Sequence, residues 1–378
     1  MFEKVYYILA INPGSTSTKL AIYKNEEMIY KEQINYSAKQ ITSFNSISQQ
    51  LDMRENSVRE FLNSIQLPLE KLSAVVGRGG VIVPVKSGAY EVNELMLDRL
   101  KNRPLGQHAS NLGGMIAYNI AKPLGIKAYV YDGVSVSELQ PLAYLTGFSG
   151  ITRQSRCHAL NMRAMAIKEA KKIGRNYKDV NLIVAHMGGG ITLSVHEKGK
   201  MVDVVLDSEG PMTPERAGRL PLSPLIYYCI DHNISYKQLF SKIRGGGGLV
   251  SLLGTNDALA VEKMIDNGSK KAALVYETMA YQISKSIGEL ATVTKGKVDK
   301  IVLTGAMAYS KRLTNWITER VQFIADVDII PGEDELQALS LGVLRVLRGE
   351  EEAHIYDEAT DSWDKNFTDD SIVGLIGS

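Results

Sequence analysis

Only two cysteines, Cys157 and Cys229, occur in 378 residues. That scarcity excludes a disulfide framework and a thiolate metal site, and it suits a reducing cytoplasm. No run of about 18 apolar residues is present, so no segment reads as a membrane-spanning helix. The start of the chain lacks the charged segment, apolar core and small-residue cleavage site of a secretory signal. Neither sign of charge dominates: 43 Lys and Arg face 42 Asp and Glu, a formal net charge of +1. No global field therefore draws nucleic acid or an anionic membrane. The pattern GxxxxGK[ST] is also missing, which removes a Walker-type nucleotide site. What remains, 44% hydrophobic and 22% charged, is an ordinary globular composition on a chain long enough for two domains.

The chain does contain a duplication. The stretch ILAINPGSTSTKLAIYKNEEMIY, Ile8 to Tyr30, reads as strand, small-residue turn, strand, polar turn, strand. NLIVAHMGGGITLSVHEKGKMVDVVLDS, Asn181 to Ser208, reads the same way. The first turns centre on Gly14 and Gly188, and the second on Asn25-Glu26 and Lys198-Gly199. Two such hairpins at matched spacing predict one fold unit used twice. Each is followed by helical patterns, at Ser57 to Ile65 in one half and at Gln238 to Ile243 and Lys270 to Thr294 in the other. Each half also has a further apolar strand ending in glycine, KLSAVVGRGG and KIVLTG. Strands alternating with helices, twice over, predict α/β architecture with ligands in a cleft between the domains. Residues 1–152 form the first expected domain, joined by 349–378, and residues 153–348 form the second. The acidic tail from Glu350 to Ser378 is expected to dock through Trp363, Phe367 and its final apolar residues, with disorder as the alternative.

The hairpin turns carry phosphate chemistry. Pro13 and Gly14 force a tight turn. Ser15, Thr16, Ser17 and Thr18 supply hydroxyls, and Lys19 supplies a point charge for a phosphoryl oxygen. In the second copy, Gly188, Gly189 and Gly190 would weaken a sheet edge unless something approaches the backbone closely. The plain alternative for each is a polar surface hairpin.

Six ordered motifs then resemble one family. INPGSTSTK is similar to the N-x-G-S-[ST]-S-x-K opening of the acetate and butyrate kinase family. GQHASNLG (106–113), HALN (158–161), VAHMGGGI (184–191), EGPMTPERAGRLP (209–221) and LTGAMA (303–308) resemble its butyrate kinase and branched-chain fatty-acid kinase branch. The resemblance spans about residues 5 to 349. It implies two duplicated actin-like, ribonuclease H-like ATPase domains with the active site in the interdomain cleft. It also implies reversible transfer of the γ-phosphoryl group of ATP to a short-chain carboxylate, giving an acyl phosphate and ADP, with Mg²⁺.

Residue by residue, the resemblance makes Arg78, His158, Arg219 and Asp132 catalytic, with Arg216 a near competitor of Arg219. It places Asn12, Ser15, Ser17, Lys19, His186, Gly188, Gly189, Gly190, Gly305 and Ala306 on the phosphates and nucleotide. His108 falls on the substrate side. Glu335, with Asn12, falls on the magnesium, although Glu333, Asp334 and Glu335 would all serve as ordinary acids at a helix start. Cys157 reads as a packing residue. The chain departs from the acetate kinase pattern in two places: Val75 stands where that pattern has arginine, and TNDALA lacks an arginine after Asp257. It departs from the butyrate kinase pattern at Asp132, where DGVS stands in place of Asp-Pro-Val. A carboxylate nucleophile is ionised at neutral pH and needs no general base, whereas a sugar kinase of this fold needs an Asp to take a proton. The alternatives are an acetate or propionate kinase and, in another class, a non-catalytic ATP-binding switch. The expected setting is cytoplasmic, and the expected state is a homo-oligomer with no nucleic-acid or membrane partner.

Overall fold

A computed structural model of the chain describes residues 4–362. Its strands, in chain order, are β1 (Tyr7–Pro13), β2 (Ser17–Lys24), β3 (Glu27–Asn35), β4 (Leu72–Arg78), β5 (Ala89–Glu91) and β6 (Lys127–Tyr131), then β7 (Leu182–Met187), β8 (Ile191–Glu197), β9 (Lys200–Val205), β10 (Lys300–Gly305), β11 (Val327–Pro331) and β12 (His354–Ile355). They form two sheets, in the orders β12-β5-β6-β4-β1-β2-β3 and β11-β10-β7-β8-β9.

Both sheets repeat one plan. β1–β2 and β2–β3 pair antiparallel, whereas β1–β4 and β4–β6 pair parallel. β7–β8 and β8–β9 pair antiparallel, whereas β7–β10 and β10–β11 pair parallel. The repetition extends to irregularities. The second pairing slips between Ile22 and Tyr23 in one copy and between Val195 and His196 in the other. The following turn takes a positive φ at Asn25 (53°) and at Lys198 (51°). A bulge and a left-handed residue at equivalent places are features that a duplication preserves. The central strands are mostly apolar and buried, as strands covered on both faces must be, with polar residues at their carboxyl ends. The edge strand β3, EMIYKEQIN, is mostly exposed and polar, which blunts pairing with other chains.

Two compact units result. One takes the residues up to Asn161 and from Asp334 onward; the other is Met162–Glu333. The sequence pattern sets these limits at 152/153 and 348/349. The difference has a packing cause. The helix Glu335–Leu347 lays Leu336, Leu339, Val343 and Leu344 on Ile8, Ala10, Val76 and Tyr129 of the first sheet, and Leu160 joins the same core. In the second unit the helix expected over Lys270 to Thr294 runs Lys270–Val293 and buries Tyr276, Met279, Ile283 and Ile287 with Leu193, Leu303 and Ile317. After Glu350 the chain stays in the first unit. β12 pairs with β5, and Tyr356 is buried with its hydroxyl 2.8 Å from Asp361. Trp363, Phe367 and the final apolar residues lie outside the described residues. Among the described residues no helix is long and apolar enough to cross a membrane.

Leu339 is fully buried beneath the first sheet. Leu339→Ala should cost about 2–5 kcal/mol of stability. Thermal or urea unfolding reads the loss, and an unchanged midpoint would contradict this packing.

Candidate active site

Register builds the first half of the site. Asn12 stands opposite Lys19 in β2, and Ile11 pairs with Gly77, one residue before Arg78. Residues in register share a face, so Asn12, Lys19 and Arg78 stand together at the carboxyl ends of β1 and β4. Open α/β sheets take ligands at that edge. Arg78 in turn pairs with Tyr131, and Asp132 follows at the end of β6.

Glu335, the first residue of its helix, closes this row. Nη1 of Arg78 lies 2.8 Å from Glu335 Oε1 and donates to Oε2 at 3.0 Å. It also donates to Asn12 Oδ1 at 3.4 Å, and Asn12 Nδ2 donates to Glu335 Oε2 at 2.5 Å. The three neighbouring acids thus have three different duties. Glu333 lies 3.6 Å from His186 Nε2, Asp334 caps the helix by accepting from the Gln337 N–H at 3.0 Å, and Glu335 balances Arg78. A recess beside the pair is lined by Arg78, Asp132, Cys157, His158, Asn161 and Glu335. Asp132 is buried at a φ of 40°, and its Oδ1 accepts from the Gly88 N–H at 2.7 Å. His158 directly precedes the helix Ala159–Lys172. Burial pushes the Cys157 thiol up to about 11, so it is a neutral packing group at physiological pH.

The first hairpin turn is closed by the Gly14 N–H on the Ser17 carbonyl at 2.8 Å. Ser15, Thr16 and Lys19 are exposed and Ser17 is half-buried. Thr18 differs from the sequence expectation. It alternates to the inner face, is fully buried, and its hydroxyl accepts from Arg54 and Tyr36 at 3.1 Å each. The turn's hydroxyl set is therefore Ser15, Thr16 and Ser17.

In the second unit, the Gly188 N–H donates to the Gly190 carbonyl at 3.0 Å, closing the equivalent turn. His186 is buried beneath it, its Nε2 3.5 Å from where a Gly188 Cβ would sit. A Cβ on Gly190 would fall 2.2 Å from Arg216 Nη1. What approaches this glycine closely is therefore Arg216, which bonds to Asp207; burial lowers its guanidinium pKa while Asp207 opposes that shift. Arg219 points elsewhere. It is exposed, donates to the Glu209 carbonyl at 2.7 Å and pairs with Glu289 at 2.8 Å. Gly305 also owes its identity to the chain itself, because a Cβ there would lie 2.4 Å from the Met187 carbonyl oxygen. Ala306 beside it is exposed. Asp257 caps a helix through the Leu259 N–H at 2.9 Å. His108 is exposed, engages Ser110 at 2.8 Å, and is not among the residues lining the Arg78 recess. Sequence reasoning missed Arg54, a helical arginine with no motif around it that is fully buried behind the first turn.

Among the described residues no group of three or more His, Cys, Asp and Glu is placed to hold a metal. Magnesium needs fewer protein ligands, since it keeps most of its waters. Here the Glu335 carboxylate faces Arg78 and the Asn12 amide nitrogen, while the Asn12 amide oxygen accepts from Arg78.

Residues 145–324 match the acetokinase family. The match covers 180 of the 378 residues. It contains four of the six motifs, including both the glycine turn and LTGAMA. Over the fold, an acetate kinase from Porphyromonas gingivalis superposes with a TM-score of 0.76 at 18% identity, covering 90% of this chain and 100% of that one. A propionate kinase from Francisella tularensis subsp. tularensis gives 0.72 at 16%, covering 89% and 98%. A ROK family protein from Streptococcus pneumoniae, in complex with sucrose, gives 0.52 at 9%, covering 91% and 100%. These likenesses establish the fold, the duplicated α/β architecture of the acetate kinases and actin-like ATPases.

Thiol titration checks the Arg78 recess. Cys229, half-buried, should react in the folded protein, and Cys157 only on unfolding. Fast reaction of both thiols would show that the recess beside His158 is more open than this geometry allows.

Proposed function

We propose that the protein is a carboxylate kinase that transfers the γ-phosphoryl group of ATP reversibly to butyrate or a branched relative such as isobutyrate. The match to the acetokinase family supports the reaction class. The observation that carries the reading is the state of the acids at the strand ends. Glu335 is engaged by Arg78 and Asn12, and Asp132 by a backbone N–H. Held in this way, they are counter-charges and anchors rather than bases awaiting a proton. A carboxylic acid with a pKa near that of Glu, about 4.3, arrives already ionised and needs none. What it needs is neutralisation, because an anion must approach a polyanion.

In this reading Arg78 and His158 stabilise charge on the carboxylate and the transferring phosphoryl group. Asp132 fixes the floor of the recess. Ser15, Ser17 and Lys19 take phosphoryl oxygens in the first unit, and Gly188 and Gly189, backed by His186, take the nucleotide's phosphates in the second. Gly190 and Gly305 shape those turns, and Ala306 flanks the adenosine. The second arginine is Arg216, held against the glycine turn, rather than Arg219, which faces solvent. Glu335 and Asn12 would hold Mg²⁺, which would neutralise phosphate oxygens. His108 serves the substrate side from outside the Arg78 recess. A recess lined in part by Ile82, Val85, Val130 and Val136 adjoins Asp132, but it has room for only about one water molecule, so the preference for butyrate rests on the motif resemblance. Each methylene is worth only about 1–3 kcal/mol in an apolar pocket. Acetate and propionate therefore remain the nearest competing substrates.

Self-association is also proposed. The helices Leu222–Asp231 and Tyr236–Ile243 bury no residue, and Leu222, Ile226 and Ile230 are 58–75% exposed. Apolar surface of this kind marks an interface. The two free thiols are consistent with a cytoplasmic setting.

Hydroxamate trapping with ATP, Mg²⁺ and acids from acetate to isovalerate tests the function. Butyrate or isobutyrate should give the highest kcat/KM. Absence of acyl phosphate from every acid would overturn the kinase assignment. Arg78→Ala should lower turnover by about 10²–10³-fold, the effect of losing a transition-state charge donor. Near-normal turnover would remove Arg78 from the reacting centre.

A further inference from the structure

Arg54 is fully buried, yet no carboxylate pairs with it among the described residues. Its five N–H groups go to neutral acceptors. Nε donates to Gln50 Oε1 at 3.1 Å, and Nη2 donates to Gln50 Oε1 at 3.0 Å and to the Ser15 carbonyl at 3.2 Å. Nη1 donates to the Ser17 carbonyl at 3.0 Å and to Thr18 Oγ1 at 3.1 Å. The Tyr36 ring lies 4.7 Å from the guanidinium carbon. Burial lowers the pKa of the group, with Tyr36 opposing that shift, and no carboxylate contributes. A buried, uncompensated cation is costly, so its presence under an exposed turn asks for a reason.

The turn supplies one. The carbonyls of Ser15 and Ser17 point inward to Arg54, and that of Thr16 accepts from the Tyr36 N–H at 2.9 Å. Three successive carbonyls are thus drawn into the protein. The N–H groups of Ser15 and Thr16, both exposed residues, meet no acceptor among the described residues. Outward N–H groups over an inward positive charge form an anion cradle.

We propose that Arg54 is a positioning residue for phosphoryl transfer, fixing the Gly14–Ser17 turn with its N–H groups outward and lending it a buried positive charge that attracts an anionic phosphoryl group. This rests on the kinase reading, in which that turn takes a phosphoryl oxygen. Arg54 touches neither substrate; it acts through the turn. Lysine cannot replace it, because three N–H groups on one nitrogen cannot serve four separated acceptors as the rigid five-donor fork does.

The test compares Arg54→Lys, Arg54→Met and Lys19→Ala in the full chain. Turnover and the rise in melting temperature caused by MgATP are measured for each. Arg54→Lys should lower kcat by about 10²-fold, the order expected of a misplacement of about 1 Å. The KM for butyrate should move by less than about twofold, since carboxylate binding is untouched. The MgATP-induced rise should shrink in Arg54→Lys and vanish in Arg54→Met. A lower basal melting temperature with an intact MgATP response and normal kcat would make Arg54 a structural pin and overturn the inference. Should Arg54→Lys fail to fold, Thr18→Val, which removes one of the acceptors, should show the same pattern to a lesser degree, and a normal kcat there would equally overturn it. Lys19→Ala separates the two ideas. If it leaves turnover and the MgATP response unchanged, the phosphate assignment of the turn fails whatever Arg54 does. If it lowers both while Arg54→Lys changes neither, only the role of Arg54 is lost.

Discussion

The ion pair between Arg78 and Glu335 joins residues 257 positions apart and organises everything around it. One partner ends a parallel strand and the other begins a helix, so the pair fixes the strand edge against the helix that covers it. Both side chains are largely buried. In such surroundings a cation without a counter-charge is expensive to hold. Glu335 therefore holds Arg78 in a fixed direction and shields it from bulk water. In the proposed reaction an incoming anion would compete with Glu335 for the N–H groups of Arg78. Asn12 is bonded to both partners.

The two turns show how one inherited unit diverges. Each is closed by an N–H on a carbonyl three or two residues ahead, and each is backed by an arginine from outside the hairpin. The arginines are not equivalent. Arg54 comes from a helix and has neutral partners, so its charge remains available to the turn. Arg216 comes from a loop, leans on Gly190 and is paired with Asp207. The first turn carries small hydroxyls and the second bare glycines. Hydroxyls suit a single oxygen at a fixed position, whereas glycines let a longer phosphate chain lie on the backbone.

Much of the fold was legible because it follows period. Alternating and continuous apolar runs located the paired hairpins, and helical spacing located Lys270–Val293. Arg78, Asp132, His158 and Glu335 were legible from motifs and strand ends, and the structure lines one recess with all four. The failures have physical causes. Thr18 was read as a hydroxyl donor of the turn, but strand alternation puts it inside. For Gly190 and Gly305 the structure adds a cause the sequence does not show, since a side chain there would strike Arg216 or the Met187 carbonyl. The Leu336, Leu339 and Val343 stripe announces a buried face without saying which sheet buries it, so the second domain limit was set too late. Arg54 left no trace, since one arginine in a polar helix looks like a surface charge until the Ser15 and Ser17 carbonyls are seen to converge on it.

The split of the first unit sets an order of assembly. Met162–Glu333 is one uninterrupted segment and contains its own sheet and core. The first unit waits for a helix encoded more than 300 residues after its opening strand. During synthesis the middle of the protein has all it needs before the ends do. Arg78 gains its counter-charge only after Glu335 has been made, so a chain cut before that residue leaves an uncovered sheet face and an unbalanced cation.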